Sequence, residues 1–303
     1  MTTTPVLALA ALLLLAPALP GIATRTKSLL TGRRGAPVLQ LYADLAKLLH
    51  KNVVYSRSTT AVFRMGTVLA ATPVVAATLF LPLDGHRALL SFGGDLVAFA
   101  GLLALARFAL VLTGLDTGSS FEGMGASREV TVATFAEPAL FLCFAVLVLA
   151  TGEPSLSGML GEPLARAWSA SAASLALGAA ALFMLALAES SRVPIDDPAT
   201  HLELTMIHEV IVLDHSGPDL ALILYGSALK LALFGCLVVS VLLPRGALPP
   251  LLAAAVLVAG LVLVAIAVGI VESVMARLRM NRVPQFLVAA SALAAFGLIL
   301  LLR

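Results

Sequence analysis

Between Ala188 and Gly217 the chain reads AESSRVPIDDPATHLELTMIHEVIVLDHSG, a polar stretch between two apolar runs at 169–188 and 219–242. Each run is long enough to cross about 30 Å of hydrocarbon as a helix. The stretch therefore connects two predicted membrane spans, and we name residues 189–217 the acidic loop. Its titratable residues are Glu189, Arg192, Asp196, Asp197, His201, Glu203, His208, Glu209, Asp214 and His215. This composition predicts a role in proton movement or partner binding.

The composition of the chain excludes a soluble globular domain. Of 303 residues, 60% are hydrophobic and 12% are charged, and the mean hydropathy is +1.04. The apolar runs are continuous rather than alternating, which predicts helices rather than a barrel. We therefore expect an all-α, polytopic protein with about eight transmembrane helices in a single membrane domain, residues 1–303. The predicted spans are 5–23, 63–83, 96–115, 133–150, 169–188, 219–242, 250–272 and 285–302.

The distribution of Lys and Arg predicts the orientation, because cationic connections stay on the inner side of a membrane. With the N-terminus outside, the inner connections hold twelve of the nineteen Lys and Arg residues, and Arg64 at the inner end of the second span is a thirteenth on this side. These connections are 24–62, 116–132, 189–218 and 273–284. We expect both termini outside, in the plasma (inner) membrane of a bacterium or archaeon. The N-terminal apolar run is not preceded by basic residues, so it is interpreted as a retained helix rather than a cleaved signal.

The first inner connection contains an amphipathic pattern. Leu41, Leu45, Leu48 and Leu49 follow helical spacing, with charged residues on another face. A helix lying in the interface plane is predicted. Two interpretations remain: a surface helix without a partner, or a helix packed beneath a partner subunit.

The acidic loop has helix signals of its own. Asp197 followed by Pro198 is typical of an N-cap and a first helical residue, and the predicted helix runs to about Leu213. On such a helix Glu203 lies nearly opposite His201 and His208. This geometry argues against a tight metal cluster, and His208-Glu209 is not followed by the rest of a zinc motif. We expect no metal.

The two cysteines, Cys143 and Cys236, lie in separate spans. Iron–sulfur clusters need about four thiolates, so no cluster is expected in this chain. Net charge does not indicate nucleic acid as a partner, because the topology explains the cations. If the protein belongs to a redox machine, electrons travel in other subunits.

Charged residues inside the predicted spans are informative, because a charge at mid-bilayer costs about 2.5–3.5 kcal/mol or more. Arg107 and Lys230 lie near the middle of their spans, and Glu137 and Glu272 lie near the inner ends of theirs. Two interpretations stay open. The charges form structural ion pairs between helices, or they form a hydrated proton path that begins at the acidic loop.

The acidic loop resembles the long inner loop of the respiratory complex I subunit 1 family. Within that family it is most similar to the branch found in formate hydrogenlyase subunit 4 and hydrogenase-4 component C, the membrane anchors of energy-converting nickel–iron hydrogenases. Three more segments agree in order with the family: residues 33–40, 123–129 with Glu137, and 276–285. The resemblance covers nearly the whole chain.

The resemblance implies a non-catalytic subunit of an oxidoreductase complex, coupling electron transfer to proton or sodium translocation. Implied partners are hydrogenase-like large and small subunits and a ferredoxin-like iron–sulfur subunit on the inner face, antiporter-like membrane subunits, and the lipid bilayer. The proton path or chamber lining that the resemblance implies comprises Glu137, Glu189, Arg192, Asp196, Glu203 and Glu209, and we add Asp197, His201 and His208 of the same loop to the predicted path. The implied contacts to the soluble arm are Arg128, Arg277, Arg279 and Arg282, and Arg33, Arg34 and Glu272 are predicted to join them.

The loop also departs from the quinone-reducing members of the family. They read E-x-N-R-x-P-F-D-L-P-E-A-E-S-E-L-V, whereas this chain has Ile195-Asp-Asp-Pro198 and Thr200-His-Leu-Glu203. The departure favours the hydrogenase branch and makes a bound quinone doubtful. The alternatives are a subunit of an NADH-quinone oxidoreductase with a quinone chamber, a stand-alone transporter, and a purely structural anchor.

Overall fold

The computed structural model describes residues 3–196 and 206–303. This part of the chain is all helical and contains no strand, which confirms the predicted fold class. The helices are α1 Thr4–Leu15, α2 Ala18–Leu30, α3 Gln40–Leu49, α4 Ala61–Ala77, α5 Asp95–Asp116, α6 Ser120–Thr151, α7 Leu156–Met159, α8 Glu162–Glu189, α9 His208–Ile211, α10 Gly217–Leu242, α11 Pro250–Val274 and α12 Val283–Leu301.

Seven described helices are long and apolar enough to cross a membrane, and the count rises to eight if the bent pair α1 and α2 forms one span. The first predicted span, 5–23, is therefore wrong as one continuous helix. The axis bends by 47° between α1 and α2. Pro17 lies at the break, where it has no amide hydrogen to continue the helical ladder.

Helix α10 occupies the centre of the bundle. In the most apolar 18-residue stretch of α10, 78% of the residues are buried, compared with 28–50% in the corresponding stretches of the other spans. It packs on α4, α8 and α11. Because a central helix is shielded from lipid on most sides, it can hold a charged residue that a peripheral helix would expose to hydrocarbon.

The connections at one end of the bundle contact one another. Arg277 pairs with Asp196, and the Val54 amide donates to Ser216 Oγ. We name this end, formed by residues 31–60, 117–119, 190–196, 206–216 and 275–282, the cation-rich face. The other end, formed by residues 78–94, 152–161 and 243–249, is the opposite face. Buried Arg245 ties the opposite face together by donating to the carbonyls of Leu83 and Ala253.

The predicted amphipathic helix is present as α3. It packs against α10 and α2 at the cation-rich face, and none of its residues is fully buried. The connection before α3 folds back along α2, where the Arg25 guanidinium donates to the Gly35 carbonyl at 3.2 Å. A Cβ on Gly21 would lie 2.0 Å from the Val38 carbonyl oxygen, so glycine is required for this approach.

The helix predicted from Asp197 to Leu213 is wrong over its described part. Met206 and Ile207 are not helical, and α9 covers only four residues, His208–Ile211. The Oδ2 of Asp196 accepts hydrogen bonds from the amides of Ile207 and His208, each at 3.0 Å. A cap supplied from eleven residues earlier is a tertiary contact, so local spacing could not predict it.

Candidate functional site: a charge network around Arg107

Arg107 lies at the centre of the membrane charge network. Its guanidinium contacts Glu137 Oε1 at 2.8 Å and Glu129 Oε1 at 3.5 Å, and it also pairs with Glu189. Helix α5 supplies the arginine, α6 supplies Glu129 and Glu137 about two turns apart, and α8 ends at Glu189. Three helices therefore bring three carboxylates around one cation, and the pairing that sequence left open is decided.

Lys230 adds a second cation from α10. It is buried, and the charges of Glu189 and Glu129 act on it. No carboxylate among residues 3–196 and 206–303 forms a direct ion pair with it. Two cations and three carboxylates leave one excess negative charge if all are ionised. Closely spaced like charges repel one another, so this excess charge makes the network a candidate site for binding a proton or another cation.

A second network lies at the cation-rich face. Glu272 is buried and pairs with Arg192 at 3.3 Å and with Lys27 at 3.9 Å. Asp196 pairs with Arg277 at 3.0 Å while capping α9. These ion pairs link the start of the acidic loop, at Arg192 and Asp196, to Glu272 on α11 and to Arg277 in the connection after α11. Lys27 on α2 joins the same network through Glu272.

His208 lies between the two networks. Burial lowers the pKa of His208 to about 4, and the charge of Lys230 lowers the same pKa further, whereas Asp196 opposes the shift. The imidazole is therefore neutral near pH 7. Its Nε2 is buried without a hydrogen-bond partner in the described part of the chain. A neutral imidazole in this position carries one N–H donor and one bare nitrogen acceptor, and both can hydrogen-bond to water in the cavity.

Three cavities border these networks. The first, about 140 Å³, lies at the cation-rich face and is lined by Arg192, Asp196, His208 and Glu209 among others. The second, about 20 Å³, joins His208 to Lys230 and has room for about one water. The third, about 220 Å³, is lined by Arg107, Glu137 and Glu189 together with apolar side chains of α5, α6 and α10.

The bundle between these networks and the opposite face is apolar. On α5 the next titratable residue beyond Arg107 is Asp95, twelve residues away or about 18 Å along the axis. The space between them is filled by side chains such as Phe99, Phe144 and Leu237. Among the described residues, no titratable chain crosses the bundle from one face to the other.

A further buried carboxylate was not among the predicted site residues. Glu122, in the first turn of α6, accepts from the Thr117 hydroxyl at 2.7 Å and from the Asp214 amide at 3.1 Å. A Cβ on Gly125 would lie 2.2 Å from Val210 Cγ1, so the end of the acidic loop is wedged between α5 and α6. In the sequence, only the small residues of Gly123-Met-Gly-Ala126 indicate that another segment could approach α6 closely here.

His215 is a second buried histidine among the described residues. Its ring stacks on Phe63 with centroids 4.2 Å apart, and neither ring nitrogen has a partner among the described residues. Burial lowers the pKa of His215 to about 4. The folded form therefore binds a proton less readily than the unfolded chain, whose histidine pKa is about 6.5. The stability that the neutral ring contributes is complete above about pH 6.5 and is lost as pH falls towards 4.

We expect His215→Phe to flatten the acid side of the stability profile, because phenylalanine keeps the stack and cannot bind a proton. At pH 5 the gain is about 2 kcal/mol from linkage, or a Tm about 5 °C higher. Thermal unfolding of the assembled complex between pH 8 and 4.5 measures it. Exposed His50→Gln is the control. An equal pH slope for His215→Phe and the parent would contradict the assignment.

The structure separates the predicted arm contacts into two groups. Arg33, Arg34, Arg279 and Arg282 are exposed at the cation-rich face. Arg128 instead donates to the Met206 carbonyl at 2.8 Å, and Glu272 and Arg277 take part in the ion pairs above. The predicted path residues Asp197, His201 and Glu203 lie outside the described residues. No group of His, Cys, Asp or Glu suited to a metal occurs in the described part.

Comparisons with a family model, with related sequences and with solved structures agree with one another. The family model described as NADH dehydrogenase matches residues 3–302. Hydrogenase-4 component C of Escherichia coli K12 is 34% identical over 235 residues, covering 78% of this chain and 73% of that protein. Formate hydrogenlyase subunit 4 of the same organism is 29% identical over 98% of both chains. A subunit of the archaeal membrane-bound sulfane sulfur reductase, a respiratory membrane complex, superposes with a TM-score of 0.84 at 20% identity over 98% of both chains.

The sequence matches and the shared fold agree over almost the full length of the chain. The family that they indicate is the one that the acidic loop resembles. The first residue of that loop, Glu189, ends α8 and belongs to the Arg107 network. The protein is a multi-pass membrane protein, and it belongs to the NADH dehydrogenase family of complex I subunit 1-like membrane subunits, together with hydrogenase-4 component C and formate hydrogenlyase subunit 4.

Proposed function

We propose that this chain is the membrane anchor of an energy-converting hydrogenase complex and couples electron transfer in a soluble arm to ion movement in neighbouring membrane subunits. The observation that supports this function best is the Arg107 network, in which three carboxylates and two cations lie in one half of the bundle. The proposed location of the protein is the plasma membrane of a bacterium or archaeon. The cation-rich face lies inside and both termini lie outside, because the exposed arginines follow the positive-inside distribution.

The network has a lateral outlet at Glu137. Its side chain is 46% exposed on the surface of a membrane-spanning helix, although it pairs with Arg107. A half-exposed carboxylate facing lipid is unfavourable, so another membrane subunit with polar groups is expected to cover this side of α5 and α6. Because the described residues offer no titratable path to the opposite face, a proton held here moves sideways rather than across this subunit.

The coupling mechanism is electrostatic. A change of charge in the arm alters the protonation of the second network, at the cation-rich face, where Arg192, Asp196 and His208 line the polar cavity. Lys230 and Arg107 respond to that change because they share the carboxylates Glu129 and Glu189. A proton bound by the Arg107 network then leaves it through Glu137. Sodium could replace the proton as the ion driven in the antiporter-like neighbours without altering these steps.

The proposed partners follow from the two surfaces. Exposed arginines on the cation-rich face suit the hydrogenase-like large and small subunits and a ferredoxin-like iron–sulfur subunit. The side of α5 and α6 beside Glu137 suits an antiporter-like membrane subunit. The electron carriers lie in those partners, since the two cysteines of this chain are buried in separate helices.

A quinone site is the second candidate, because the family includes quinone-reducing enzymes by resemblance. The polar cavity at the cation-rich face is about 140 Å³, whereas small-molecule sites usually measure about 300–1,000 Å³. Ion-paired Arg192 and Asp196 occupy its wall. The described part of this cavity is therefore smaller than a usual small-molecule site and has charged walls, and both features favour the hydrogenase assignment.

Glu137→Gln tests the proposed function. Removing a charge about 4 Å from a guanidinium changes the local energy by roughly 4 kcal/mol at an effective dielectric of 20, so we expect ion translocation to fall at least about tenfold. Electron transfer by the soluble arm is expected to change far less. Both rates are measured in the purified complex reconstituted into vesicles, and exposed Glu153→Gln on the opposite face is the control.

The alternatives predict different results. A structural anchor keeps ion translocation intact in Glu137→Gln, and that result would overturn the proposal. A quinone-reducing subunit would be labelled in the polar cavity by a photoreactive quinone analogue. A stand-alone transporter would move ions when this chain is reconstituted by itself.

A further inference from the structure

The break in the first span frees backbone carbonyls inside the membrane. Pro17 has no amide hydrogen, so the Leu13 carbonyl loses its usual partner four residues on. Leu14 is the next residue along, and α1 ends at Leu15. In hydrocarbon there is no water to satisfy such groups, so the protein must supply donors.

Two tyrosines supply these donors from distant parts of the chain. Tyr225 on α10 donates its hydroxyl hydrogen to the Leu13 carbonyl at 3.1 Å. Tyr42 on α3 donates to the Leu14 carbonyl. They are two of the three tyrosines in the chain, and both converge on adjacent carbonyls at the bend. Nothing in the spacing of the sequence indicates this convergence.

The hydrogen bonds join elements that belong to different layers. Helix α3 lies at the cation-rich face, whereas α10 is the central helix and holds Lys230 five residues after Tyr225. Helix α2, beyond the bend, carries Lys27, which pairs with Glu272. The bend is therefore the point where the surface helix and the central helix meet, and α2 connects it to Lys27, about 15 Å further along the helix.

We propose that residues 13–17 form a hinge and that Tyr42 and Tyr225 are positioning residues that set its angle. A displacement of α3 by a partner at the cation-rich face then changes the direction of α2 and shifts α10. Movement of Lys27 relative to Glu272, and of Lys230 relative to Glu189, follows from the same rotation. This last step rests on the proposed function, whereas the hinge itself does not.

A distance measurement across the bend tests the hinge. Leu7→Cys on α1 and Leu29→Cys on α2 are 63% and 64% exposed positions for nitroxide labels, while native Cys143 and Cys236 are buried. In the purified complex we expect Tyr42→Phe combined with Tyr225→Phe to shift or split the label distance measured by pulsed electron resonance. Each single variant is expected to give part of the shift, and they serve as the test if the double variant does not assemble.

The third tyrosine provides the matched control. Tyr55→Phe removes a hydroxyl from the loop before α4 and is expected to leave the label distance unchanged. An unchanged distance in the Tyr42 and Tyr225 variants overturns the proposal. The coupling step is read separately as ions moved per electron, which we expect to fall roughly twofold or more.

The two proposals fail in different ways. If Glu137→Gln lowers ion movement but the tyrosine variants do not, the hinge has no part in coupling and that step is overturned. If Glu137→Gln is silent, the proposed function fails, and the label distance still decides whether the tyrosines set the bend.

Discussion

Arg107→Met is expected to abolish ion translocation and to destabilise the assembled complex by about 3–5 kcal/mol. Glu129, Glu137 and Glu189 would lose their common cation, and leaving buried charges without a partner costs this much in other proteins. Lys230 cannot compensate fully, because it contacts none of the three carboxylates directly among the described residues. Thermal unfolding of the complex and its abundance in membranes measure the loss.

Arg107→Lys is the graded control for this prediction. It keeps the charge, but a single ammonium group cannot make the separate contacts of a planar guanidinium to three carboxylates. We expect intermediate stability and reduced ion translocation. Adding Glu189→Gln to Arg107→Met should recover part of the lost stability, because one uncompensated charge is removed and the two sites are coupled. An Arg107→Met complex as stable as the parent would rule out the network as a buried charge centre.

Gly21→Ala is expected to unseat α3 and the connection before it. The new Cβ would lie 2.0 Å from the Val38 carbonyl oxygen and 2.8 Å from its carbon, so a backbone segment must move. Overpacking of this kind costs about 1–3 kcal/mol or more. We expect faster proteolysis within residues 31–39 and weaker binding of the soluble arm, measured by the arm subunits retained after a salt wash.

Gly123→Ala is the matched control, since a Cβ on Gly123 meets nothing within 4 Å and the residue lies inside α6. Alanine favours the helix by about 1 kcal/mol over glycine, so this variant should be neutral or slightly more stable. Proteolysis of Gly21→Ala at the same rate as Gly123→Ala would show that the connection does not depend on the close approach.

The membrane spans could be predicted from sequence because each depends on local composition. A continuous apolar run must form a helix in lipid, whatever its neighbours are. The same reasoning identified Arg107, Lys230, Glu137 and the amphipathic α3, since a charge or a leucine stripe stands out from its own surroundings. The argument against a metal site rested on the helix predicted from Asp197 to Leu213, which the described residues do not form. The bend in the first span was missed, although Pro17 marks it, because apolar length was weighed above backbone chemistry.

The site itself depended on contacts between distant residues. Sequence could name Glu129, Glu137 and Glu189 as carboxylates near spans, yet their convergence on Arg107 requires the packing of α5, α6 and α8. The cap of α9 by Asp196 and the capture of two carbonyls by Tyr42 and Tyr225 are equally nonlocal.

By itself the sequence determined the membrane helices and the charged residues within them, because the free energy of placing each segment in lipid depends mainly on that segment. It also indicated the family, because the motifs of the acidic loop are local in sequence. Only the tertiary structure decided which carboxylates share a cation, where the cavities run and what fixes the bend. Ion pairs and hydrogen bonds act over a few ångströms, so their partners are chosen by helix packing and not by position along the chain.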